Sequence, residues 1–133
     1  MKKEYNHRHA NLDVLYDRMG SLDDPCVYCG QPSTGYDHVP PLHYAERVQD
    51  DITVFRKYPA CRECNSALTG QLFLTLKARR KAVKDYIRKK YRSFLSMPAW
   101  SEEELAELDS RFAEEVRRAS RFAEHIKRRV SFY

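Results

Sequence analysis

Long apolar runs are missing from this chain. No stretch of about 18 apolar residues occurs, the length a membrane-spanning helix needs, so no membrane partner is expected. The lysines of MKKEYNHRHANLD are followed by no apolar segment of the kind a signal peptide carries. The expectation is a cytoplasmic protein. Low-complexity linkers are also absent, and so are internal repeats apart from one pair of CxxC motifs. Cysteine is scarce: there are four, and those two motifs hold all of them. In a reducing compartment thiols stay free, so four cysteines in this arrangement read as metal ligands rather than disulfides.

What is present is unevenly distributed. At 133 residues the chain is long enough for one domain, divided here into a turn-rich part over 1–70 and a basic helical extension over 71–133. All four glycines and five of the six prolines fall in 1–70. A segment that irregular gains from a metal staple. Residues 1–70 hold 8 Lys+Arg against 10 Asp+Glu, and 71–133 hold 16 against 9, so the +5 net charge comes from the second part. The densest run, Lys77 to Arg92, has nine cations and one acid. Such a stripe favours a polyanion, nucleic acid before anionic membrane. Lys77, Arg80, Lys81, Lys84 and Arg88 are the candidates for phosphate contact, and Arg79, Lys89 and Arg92 belong to the same run.

The periodicity predicts an α+β fold. Residues 3–19 read as an amphipathic helix ending at Gly20. TGYDHVPP reads as a hairpin arm stopped by Pro40 and Pro41, which cannot donate to a strand ladder. LHYAERV suits one or two helical turns, and ITVFRKYPAC a strand. A helix is expected from Arg62, a break at Gly70, and a basic helix over about 72–95. Ser101 with Glu104 fits a capping box opening a second long helix over about 102–129. Its apolar face, with Leu105, Leu108, Phe112, Val116, Ala119, Phe122, Ala123 and Ile126, is expected to pack on the preceding helix, and it also offers a route to a homodimer. Trp100 reads as a packing anchor at the turn between the two helices, and His7 and His9 as exposed.

Cys26-x2-Cys29 and Cys61-x2-Cys64 supply four thiolates in two bites, which suits tetrahedral structural zinc. With every position taken by cysteine such a site is closed, so any chemistry must come from other residues.

The order CxxC, then Asp37-His38-Val39-Pro40, then CxxC-Asn65 resembles the HNH, or His-Me finger (ββα-metal), nucleases. The likeness is greatest to their zinc-stapled branch, which includes the phage endonuclease VII type, and it covers about residues 26–70. The resemblance implies a ββα-metal core, with His38 as general base and Asp37 and Asn65 holding catalytic magnesium or manganese. One departure stands out: where many members place a further Asn before the second CxxC, this chain has Asp50 and Asp51. The expected function is metal-dependent hydrolysis of phosphodiester bonds in DNA, with RNA not excluded. Two alternatives stay open: a zinc-stapled module that binds nucleic acid without cutting it, and a protein-interaction or inhibitor role for the C-terminal helices.

Overall fold

The computed structural model describes residues 11–48, 50 and 52–133; the expectations for His7, His9 and Asp51 lie outside them. The chain is α+β. Its elements are β1 (Asp17–Arg18), β2 (Gly35–Val39), α1 (Leu42–Ala45), β3 (Arg56–Ala60), α2 (Arg62–Ser66), α3 (Leu76–Lys90), α4 (Arg92–Leu95), α5 (Glu102–Ala106) and α6 (Ser110–Ser131). The sheet order is β1-β3-β2. β2 runs antiparallel to β3, with Asp37 opposite Tyr58 and His38 opposite Lys57, and β1 runs parallel to β3. Among the described residues no helix is long and apolar enough to cross a membrane.

β2 falls within TGYDHVPP and stops at Pro40 as its missing N–H requires, while β3 takes only the second half of ITVFRKYPAC, the β-branched 52–55 lying outside it. The helix predicted over 3–19 is corrected in its second half. Residues 11–13 are helical, but Asp17 and Arg18 are extended and pair with Arg56 and Lys57. Burial of Tyr16 explains the change: it is 6% exposed, its hydroxyl donates to the Pro40 carbonyl, and its ring packs edge-on against His38 and Phe55. These long-range contacts draw the segment into the sheet against its local period.

Gly70 breaks the chain at φ +86°, as expected. The basic helix then starts late, at Leu76, where the Thr75 hydroxyl accepts from the Ala78 N–H, and it divides at Tyr91. The predicted capping box is present, with Ser101 and Glu104 bonding each other's backbone N–H. The helix it opens is short, however. The chain interrupts at 107–109 and restarts as α6, whose buried stripe keeps the expected Val116, Ala123 and Ile126 and takes in Ala113 and Arg129 rather than Phe112 and Phe122. Phe112 is left 50% exposed in consequence. Phe122 stacks edge-on with Tyr91 and Phe94, and Trp100 sits at the turn beside Met97, Pro98 and Lys127.

One apolar core joins the two parts of the chain. Cys26, Tyr28, Cys29, Ala60, Cys61 and Cys64 from the first pack with Val83, Ile87 and Ile126 from the second. Each helix therefore covers the knuckles with one buried stripe and keeps most of its charges outside, Arg79, Lys84 and Arg129 excepted. Ile126 is fully buried, so Ile126→Ala should cost about 2–5 kcal/mol, whereas the half-exposed Phe112→Ala should cost under about 1 kcal/mol. Urea unfolding of the two variants checks this, and equal losses would mean the register of α6 is misassigned.

Candidate functional site

The CxxC turns bring the sulfurs together by ordinary backbone bonding. The Cys26 N–H donates to Gln31 O (2.7 Å) and the Gly30 N–H to Cys26 O (2.9 Å), closing the first knuckle. Gly30 has φ +78°, and a Cβ there would lie 2.7 Å from Phe132 Cδ2, so the position demands glycine on two counts. Cys61 caps α2, its Sγ accepting from the Cys64 N–H at 3.4 Å. All four ligand atoms lie within 4.8 Å of one another and all four residues are buried. The Cys29 and Cys61 sulfurs are 3.7 Å apart. Tetrahedral zinc with Zn–S bonds of about 2.3 Å requires sulfurs about 3.8 Å apart. The four cysteines can therefore hold a metal ion, and the donor set and spacing fit zinc.

Strand alternation decides where the other predicted residues go. Along β2, neighbouring side chains face opposite sides of the sheet. His38 shares its side with Tyr36 and, from β3, Lys57. His38 Nε2 lies 2.5 Å from Asp13 Oδ1, and Lys57 Nζ contacts both oxygens of that carboxylate at 2.9 and 3.0 Å. The side chain of His38 is 20% exposed. Hydrogen bonding from His38 holds the Asp13 carboxyl below its ordinary value, and Lys57 adds to the effect. That carboxylate's contribution to stability is thus present above the ordinary carboxyl value and lost as pH falls below it, through the lowered folded value. An ionised Asp13 accepts a hydrogen bond from Nε2–H in the tautomer that leaves Nδ1 as the acceptor nitrogen of the ring. Lys57 and Arg18 lie 5.2 and 5.4 Å from the centre of the Tyr36 ring, so this face carries two cations beside the imidazole.

Asp37 points the other way. It is 6% exposed, and its Oδ2 accepts from Arg79 Nε at 2.5 Å and from the Tyr28 hydroxyl. Burial pushes its carboxyl up, against the pull of Arg79 and Tyr28. The Arg79 guanidinium also donates to the carbonyls of Cys64, Asn65 and Ala67 at 3.1–3.2 Å. Asn65 directs its Nδ2 to Tyr36 O, 3.1 Å away. In this arrangement a guanidinium is bonded to Asp37 and the Asn65 amide braces β2. His38 and Asp37, adjacent in sequence, are not brought together.

The basic residues divide in the same way. Lys77 and Lys81 are exposed, and Arg88 is exposed beside Asp85 (3.0 Å). Arg80 is half-buried, with Nε lacking a partner among the described residues. Lys84 requires correction: it is 7% exposed, and its ammonium bonds the Phe132 carbonyl and lies over the Tyr133 ring. It is a seam between α3 and the end of α6, not a solvent-facing phosphate contact. Arg79 has the same buried character, and it lies in register with Val83 and Ile87 at i+4 and i+8. That register is the one sequence signal that marks it as inward-facing. Nothing local marks Asp13, whose partners are 25 and 44 residues away.

Comparison of the chain with protein-family models, curated proteins and solved structures finds no match.

Arg79→Met strips the buried Asp37 carboxylate of the cation bonded to it among the described residues, so it should cost about 3–5 kcal/mol of stability. Arg79→Met combined with Asp37→Leu should recover most of that loss, because no charge is then stranded. Chemical denaturation of the single and double variants measures the coupling, and purely additive losses would show that the pair is not formed.

Proposed function

We propose that the protein binds nucleic acid and hydrolyses phosphodiester bonds, with His38 as general base. The observation that carries this reading is the Asp13–His38 contact on an accessible face that also bears Lys57 and Arg18. In the reaction, a water oxygen attacks phosphorus and gives its proton to His38 Nδ1 as the bond from phosphorus to the leaving ester oxygen breaks; that oxygen departs as the sugar hydroxyl after taking a proton from solvent, and Asp13 holds the ring through Nε2–H and stabilises the imidazolium. Arg18, which is exposed, would offset phosphate charge, with Lys57 engaged on Asp13 adding to the positive side of the site. The resemblance of the Asp-His-Val-Pro and CxxC-Asn motifs to the HNH nucleases supports the same class of reaction. Zinc held by Cys26, Cys29, Cys61 and Cys64 would supply rigidity rather than chemistry, keeping α2 against the strand that carries His38. Lys77, Lys81 and Arg88 add a sequence-independent, salt-sensitive grip on the backbone of DNA. No step is assigned to magnesium or manganese, since Asp37 is paired with Arg79.

That same pair favours a second reading, a zinc-stapled module that binds nucleic acid without cutting it.

Plasmid nicking separates the two. Wild type, His38→Ala and Asp13→Asn are compared in magnesium, in manganese and in EDTA too mild to strip zinc. The nuclease reading expects nicking by wild type, a loss of about 10²–10⁴-fold in His38→Ala and a smaller loss in Asp13→Asn. Gel retardation without cleavage under any condition would establish the binder instead. Cleavage in magnesium that vanishes in EDTA would further show that the Asp37–Arg79 pair opens to admit an ion.

A further inference from the structure

Four thiolates around a divalent ion leave a net charge of −2, here in a buried setting. Such a centre needs compensation from nearby donors or cations. One cation reaches it from far along the chain. Arg129, on α6, is 3% exposed, and its Nη2 lies 3.9 Å from Cys64 Sγ. The guanidinium is held in place on several sides. Nη2 is 2.6 Å from Glu63 Oε1. The Gln31 amide, with its oxygen turned toward the guanidinium, accepts from Nε and Nη1 at 2.6 and 3.2 Å. The Tyr91 ring lies beneath, 5.8 Å from ring centre to Cζ. Glu63 and Gln31 come from, or directly follow, the two knuckles, so Arg129 touches both bites of the cluster at once.

The partners of Arg129 do not by themselves account for this position. Glu63 is already engaged at its other oxygen by Lys90 and the Tyr91 hydroxyl, each at 2.6 Å. A carboxylate so supplied does not require a second, fully buried cation, whereas a −2 centre alongside does. The planar guanidinium can also donate to sulfur and carboxylate together, which an ammonium does less well. We propose that Arg129 is the counter-charge of the four-cysteine metal centre, and that it couples metal retention to the seating of α6 on the knuckles. Arg129 is a positioning residue in this role. It is not a ligand, and the inference holds whether or not His38 cleaves nucleic acid.

The test measures metal and not activity. Full-length wild type, Arg129→Lys, Arg129→Met and Glu63→Gln are loaded with zinc, and release to a chromogenic chelator is timed at fixed pH. Outer partners of metal ligands are typically worth about 10–100-fold in affinity. Arg129→Met should therefore release zinc at least about tenfold faster, with Arg129→Lys restoring a large part and Glu63→Gln falling well short of the Met variant. Cobalt-substituted samples add a readout that a merely structural role does not move. Arg129→Met should shift the sulfur-to-cobalt charge-transfer band, and Glu63→Gln should leave it in place. Unchanged release in Arg129→Met would overturn the proposal. So would release from Glu63→Gln as fast as from Arg129→Met, because Arg129 would then act only through Glu63. If Arg129→Met does not fold, the Lys and Gln variants decide: slow release in Lys with an unmoved band in Gln supports the counter-charge, and the reverse pattern refutes it.

Discussion

Convergence of four thiols is the constraint on which the remaining structure rests. The two CxxC turns are separated by 31 residues, and that interval contains β2, α1 and β3. The sheet they enter has three strands, one of them two residues long, too little to be stable unaided. Fixing its ends at a metal-sized cluster sets the β2–β3 register. It also creates the apolar floor on which Val83, Ile87 and Ile126 settle. The helices are consequently not an appendage: without the knuckles their buried stripes would have nothing to cover.

Two ion pairs, one buried and one half-buried, fix how the helices sit. Asp37 with Arg79 ties the hairpin to α3, and Glu63 with Arg129 ties the second knuckle to α6. Neither pair need add much net stability, since desolvating both partners offsets their attraction. Their effect is selective, because a shifted helix would strand a charge in an apolar interior. The same arrangement separates two residues adjacent in the chain. Asp37 serves the interior, while His38 serves the accessible face with Asp13 and Lys57.

Much of this was legible from local pattern. Cysteine spacing announced the metal cluster, prolines marked the end of β2, and Ser101 with Glu104 announced a helix start because both partners lie within one turn. What was not legible depended on distance or on competition between signals. Asp13 belongs to a segment with a helical period, and only the burial of Tyr16 shows why that segment ends as a strand. The interruptions at Tyr91 and at 107–109 carry neither proline nor glycine, so tertiary packing rather than a local breaker sets them. Arg79 and Lys84 were hidden by company: within a run of nine cations composition suggests a solvated face, and only the register with Val83 and Ile87 shows that two of them turn inward.

The contact between Gly30 and Phe132 has a consequence for how the protein is made. A ribosome delivers the last cysteine at residue 64, but the residues that close over the sulfurs, Ile126, Arg129 and Phe132, come more than sixty positions later. At about 5–20 residues per second that is a delay of several seconds, during which a complete set of thiols lacks its lid. Loading during translation is therefore open to any metal ion at hand, whereas exchange after release must work against a closed cover.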